Sequence, residues 1–134
     1  MNRLSQVFVF KITATVFIGC LPLLLFPAWL LEQLGFPPQS TYLFVRLLAW
    51  AYLALCVGYG FGLLASLKGE RSMPPIWVGI VSNGGACILL LYFMLIGAWS
   101  SWSLPVVYVG WSSIAATALI TVGLVRYGIR DRGR

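Results

Sequence analysis

Residues 41–71 read TYLFVRLLAWAYLALCVGYGFGLLASLKGER. The run is apolar on every face apart from Arg46, exceeds the roughly 20 residues that cross a bilayer core, and stops at the charged cluster Lys68-Gly69-Glu70-Arg71. A soluble amphipathic helix would keep one polar face, and this run has none. Three further runs of the same kind lie at about residues 7–31, 76–99 and 105–125. Gly35-Phe36-Pro37-Pro38 closes the first, Pro74-Pro75 opens the third, and Ser100-Ser101-Trp102-Ser103 separates the third from the fourth. Pro105 suits the first turn of a helix, where no amide is needed. Pro22 and Pro27 fall inside the first run, where each removes an amide donor, a defect that neighbouring helices absorb in a membrane. Connections this short predict an all-α membrane protein, a single domain over residues 1–134 in which four transmembrane helices form an up-down-up-down bundle.

Composition agrees. The chain of 134 residues is 60% hydrophobic and 9% charged, with a mean hydropathy of +0.93. A soluble domain carries roughly 25% charged residues. Eight of the nine basic residues (Arg3, Lys11, Lys68, Arg71, Arg126, Arg130, Arg132 and Arg134) fall on one side of the threading. Insertion retains Lys and Arg in the cytoplasm, so both termini and the loop at residues 68–71 are expected there. Trp29, Phe36, Tyr42, Trp99, Trp102 and Tyr108 cluster at the expected outer boundary, and Trp77 and Tyr127 at the inner one, where amphipathic rings favour headgroups. The net charge of +6 is explained by topology and by contact with the lipid bilayer; the basic residues form no nucleic-acid-binding module. Phe17-Ile18-Gly19-Cys20 loosely resembles a lipoprotein processing site, yet the apolar run continues through Leu21-Pro22-Leu23-Leu24-Leu25-Phe26, so an uncleaved span is expected.

The inventory for chemistry is short. There is no His, and Cys20, Cys56 and Cys87 are scattered in apolar runs without a Cys-x-x-Cys. They read as small buried hydrophobes, which argues against thiol redox chemistry, structural zinc or another cofactor. Of three acids, Glu70 and Asp131 sit among basic residues in cytoplasmic segments. Arg46 lies one turn inside the second span, where a charge is costly, and three uses of it are open: its side chain snorkels to the headgroups, it pairs with Glu32 at matching depth, or it anchors an anion or substrate. Asn83, some two turns into the third span, shares its predicted depth with Thr15, Tyr59 and Thr117, and a small polar cluster joined by interhelical hydrogen bonds is expected there. Ala54, Gly58 and Gly62 recur at four-residue spacing and form a face on which another backbone packs closely. Gly79, Asn83 and Ala86 behave similarly on the third helix, and Ser113, Thr117 and Thr121 make a polar stripe on the fourth.

Phe26-Pro27-Ala28-Trp29-Leu30-Leu31, Leu34-Gly35-Phe36-Pro37, Arg46-Leu47-Leu48 and Tyr52-Leu53-Ala54-Leu55 leading to Gly58-Tyr59 resemble a pattern of small bacterial four-helix membrane proteins, broadly of the DoxX-like kind. The resemblance implies a protein of the bacterial cytoplasmic (inner) membrane and brings no catalytic residue with it. Small multidrug transporters share the size and helix count but rely on a Glu embedded in the first helix, whereas here Glu32 stands at its outer end. The expected function is therefore a non-enzymatic accessory or structural subunit that packs against another membrane protein or forms a homo-oligomer. The alternative is a small transporter or channel with a site near Asn83 and Arg46. Topology is directly testable. A cysteine at Ser72, introduced after replacement of the three native thiols, should escape an impermeant maleimide in intact cells, and external labelling there would reverse the threading.

Overall fold

In the computed structural model residues 2–100 and 103–130 are described. Their regular structure is entirely helical, with no strand among the described residues. Helix α1 is Arg3–Leu25, α3 is Leu43–Leu67, α4 is Met73–Leu95 and α5 is Leu104–Arg130, each long and apolar enough to cross a membrane. A short α2, Ala28–Gln33, lies between α1 and α3. Trp102, Asp131, Arg132, Arg134 and part of the expected outer turn lie outside the described residues.

The ends follow from local chemistry. Asn2 caps α1 by accepting the Ser5 amide at 2.7 Å, the cap role for which a short polar side chain is suited. The first span does not run unbroken to residue 31. Phe26 is extended (ψ 135°) because it precedes Pro27, and the proline ring disfavours helical backbone in the residue before it. Upstream, α1 widens into π-helix over Thr15–Cys20, immediately before Pro22, whose ring would clash with the carbonyl four residues back in a regular helix. Gly69 (φ 79°) and Gly97 (φ 79°) end the two central helices in a left-handed conformation that a Cβ would penalise.

Each long helix packs on the next, and α5 returns against α1. The main core joins all four: Leu4 and Phe8 of α1, Tyr59 of α3, Ile76 of α4, and Ile120 and Leu124 of α5. A smaller cluster, Leu31, Tyr42 and Val45, closes the other end around α2. Close approach depends on glycines. A Cβ on Gly62 would stand 2.8 Å from Pro75 and 2.9 Å from Phe8, one on Gly79 2.5 Å from Leu124, and one on Gly128 2.8 Å from Ile76. These contacts bring the start of α1, the end of α3, the start of α4 and the end of α5 together. Large apolar side chains elsewhere point outward, Phe44, Leu95 and Leu104 among them, as lipid-facing residues do.

Not every aromatic serves as a boundary marker. Trp29, Trp77 and Tyr108 are exposed, but Tyr42 and Trp99 are buried; Trp99 packs edge-on to Trp111 with ring centroids 6.2 Å apart and covers Gly110. Gly62→Ala should cost about 1–3 kcal/mol through overpacking. Gly60→Ala, which meets nothing within 4 Å, should be neutral or gain up to about 1 kcal/mol of helix propensity. Thermal unfolding of the two variants in detergent, followed by circular dichroism, checks the contrast.

Candidate functional site

Arg46 is where sequence and structure first part. No ion pair with Glu32 forms: the guanidinium donates to the carbonyls of Leu23 and Phe26, and the Glu32 carboxylate accepts the Tyr42 hydroxyl at 3.1 Å. Backbone chemistry explains the change of partner. The Leu23 carbonyl would take the amide of residue 27 in a continuous helix, and Pro27 has none. The Leu30 amide, which would serve Phe26, bonds to Pro27 instead. Two carbonyls are thus stranded by the break, and an arginine fork is suited to both. Hydrogen bonds of this charged kind contribute about 1.5–3 kcal/mol each, enough to offset the roughly 2.5–3.5 kcal/mol that a buried arginine costs on insertion scales. Arg46 thereby closes the α1 kink. Burial, reinforced by the Glu32 hydrogen bond and charge, raises the Tyr42 hydroxyl above its usual pKa, so it stays protonated as the donor.

The expected polar cluster is only partly assembled. Asn83 donates to Gly79 of its own helix at 2.6 Å, and Thr117 turns back to Ser113 at 2.7 Å and Ile114 at 3.1 Å. Thr15 does not join them. Tyr59 does cross between helices, but to Ser82 at 2.9 Å, and Asn83 reaches that hydroxyl only at 3.4 Å. A short amide or hydroxyl can bond the carbonyl one turn back on its own helix, which lowers its need for a partner helix. The stripe on α5 behaves the same way: Ser113 bonds to Val109 at 2.8 Å and Thr121 to Thr117 at 2.8 Å.

The small-residue face also divides. Gly62 is packed against Pro75 and Phe8, whereas Gly58 meets nothing within 4 Å and Ala54 is exposed. Helix geometry accounts for it: the buried stripe of α3 runs through Val45, Ala49, Cys56, Tyr59, Gly62 and Ser66, and Ala54 and Gly58 lie outside it.

Two features escaped the sequence reading. Asn2, Ser5 and Ser66 form a closed hydrogen-bonded knot between α1 and α3. The Asn2 side-chain oxygen accepts from Ser5 Oγ at 2.8 Å and Ser66 Oγ at 2.9 Å, and its nitrogen donates to the Ser66 carbonyl at 2.8 Å. The signal was an Asn just ahead of an apolar run. The second feature is Lys11, which does not face the inner boundary as its position in the sequence suggests. It is 2% exposed, and its Nζ is 4.0 Å from the Tyr59 ring centroid. Cys20 and Cys56 are buried, and the Cys87 thiol points to the Ile114 carbonyl at 3.9 Å. A line of contacts runs from Lys11 through Tyr59 to Ser82. Two grooves of about 580 and 280 Å³ indent the described residues. The larger is lined by Arg126 and Arg130, the smaller by Arg3, Phe10 and Tyr127.

No protein-family model matches the chain, and neither a curated protein nor a solved structure shows significant similarity to it. The Arg46 arrangement can be tested against the ion pair. Arg46→Met should destabilise the protein by about 2–3 kcal/mol, and the loss should shrink in a Pro27→Ala background, where an amide is restored to the Leu23 carbonyl. Glu32→Gln and Arg46→Met should add within about 0.5 kcal/mol. Stronger coupling between them in denaturation from mixed micelles would restore the ion pair.

Proposed function

We propose that this is a non-enzymatic, multi-pass protein of the bacterial cytoplasmic membrane, of the DoxX-like kind. Its helices run up-down-up-down with both termini cytoplasmic, and it acts as an accessory or structural subunit by packing α3 against another membrane protein or a second copy. The meeting of the α1 start, the α3 end, the α4 start and the α5 end supports the alternating topology. Arg3, Lys68, Arg71, Arg126 and Arg130 belong to those same ends, which supports the cytoplasmic assignment through the retention of basic residues.

The observation that carries the packing role is the uncovered side of α3. Ala54 and Gly58 are exposed between Trp50, 64% exposed, and Phe61, 65% exposed. Small residues flanked by large ones form a groove into which a neighbouring helix fits, and in lipid such van der Waals complementarity is a main source of association. The alternative of a small transporter or channel with a site near Asn83 and Arg46 is favoured by the buried Lys11 and the Tyr59–Ser82 bond; the uncovered small-residue side of α3 favours the accessory role.

Gly58→Leu separates the bundle from its assembly. A Cβ at this exposed position meets nothing within 4 Å, so the thermal midpoint should hold, while copurification of a stoichiometric partner from native-level expression, or self-association, should be lost. A variant that assembles like the parent sinks the proposal, and a self-sufficient oligomer with ligand flux turns it toward transport.

A further inference from the structure

The 280 Å³ groove between α1 and α5 is polar at one end and apolar along its length. Arg3 and Gln6 of α1 and Tyr127 of α5 line it near the place where α1 begins and α5 ends. Val7 and Phe10 continue the α1 wall, and Leu119 and Ile120 continue the α5 wall. Residues 3, 6, 7 and 10 recur at the helical period, so they occupy one face of α1. Gly123 lets that face settle against α5, because a Cβ there would stand 3.0 Å from Val7. From Arg3 to Phe10 the helix rises about 10 Å at 1.5 Å per residue, less than half of a hydrocarbon core roughly 30 Å thick. The groove therefore keeps to one leaflet. It is open along its side: Arg3 and Gln6 are exposed, Phe10 is 52% exposed and Leu119 68%.

Charge at the polar end has one sign. Arg3 supplies a guanidinium from α1, and Arg126 brings another beside the α5 wall, its Cζ 5.7 Å from the Tyr127 ring centroid. The Gln6 amide and the Tyr127 hydroxyl add neutral donors. No acid is among the described lining residues. Guanidinium groups suit phosphate oxygens, and basic pockets between membrane helices favour phosphate-bearing headgroups. We propose that this groove is a site for one anionic phospholipid, its phosphodiester held by Arg3 and Arg126 with Gln6 and Tyr127 as further donors, and an acyl chain laid along Val7, Phe10 and Leu119. The order of the walls selects that occupant. A free phosphate has no use for the apolar length, and a zwitterionic lipid would bring its own cation toward two guanidinium groups. The site belongs to α1 and α5 and is independent of the packing face on α3.

The test is native mass spectrometry of the full chain, released from detergent micelles that contain equal amounts of phosphatidylglycerol and phosphatidylcholine of the same acyl length. One phosphatidylglycerol per monomer should survive release, favoured over phosphatidylcholine about tenfold or more. Arg3→Gln and Arg126→Gln should each lower that preference about fivefold. Lys68→Gln, at the same end of the bundle but outside the groove, should leave it unchanged. Both arginines are exposed, so the thermal midpoints of the variants should match the parent, and the lipid preference of the unsubstituted protein requires no variant. Glycerophosphoglycerol, the same headgroup without its chains, should not bind at the same concentration. Equal retention of the two lipids, equal losses in Lys68→Gln and Arg3→Gln, binding of the headgroup alone, or lipid carried only by dimeric ions would overturn the site.

Discussion

Inside hydrocarbon there is no water to satisfy a stranded carbonyl or an isolated charge, so each must find its partner within the protein. The break at Phe26-Pro27 makes this demand acute, because it leaves two carbonyls unserved within reach of the bilayer. Arg46 meets both at once, and in doing so it ties the end of α1 to the start of α3. At the opposite end Asn2, Ser5 and Ser66 make a second polar tie between the same helices. Two fixed points determine a register. The contacts between them, Phe8 against Gly62, Lys11 over Tyr59 and Gly19 against Tyr52, follow from that register.

The remaining helices are attached differently. Gly79 admits Leu124 and Gly128 admits Ile76, so α4 and α5 meet by apolar interlocking, without a polar knot of the kind that joins α1 to α3 among the described residues. Lipid offers these side chains an environment as apolar as the core, and association therefore rests on how closely the backbones approach. Glycine at those positions shortens the distance, and each is matched to a branched side chain on the opposing helix. Polar chemistry in this molecule thus specifies alignment, while shape holds the second pair of helices.

The four apolar runs and their approximate limits were legible because length and uninterrupted hydrophobicity are one-dimensional properties. The turn chemistry of Pro74, Pro75 and Pro105 was legible for the same reason. Partner choice was not. Depth along the membrane normal suggested Glu32 for Arg46, but depth says nothing about carbonyls released by a proline four residues downstream. Asn83 and Thr117 share a depth and yet satisfy themselves on their own helices, an outcome that depends on rotamers rather than on spacing. Lys11 reads as a boundary residue from its distance to the N-terminus, and its inward direction emerges only once α1 is rotated against α3.

Helix α3 is buried on one side and open on the other. Its inward stripe carries Cys56 and Tyr59, and its outward stripe carries Ala54 and Gly58, separated from them by one or two residues along the chain. Because Arg46 and Ser66 pin the two ends of this helix to α1, it cannot rotate to bury both sides within the monomer. The apolar groove left outside therefore follows from the interior being satisfied first. A partner helix seated on Gly58 would bear on the backbone that carries Cys56 and Tyr59, so the surface available for assembly and the buried line around Lys11 are mechanically joined through a single element.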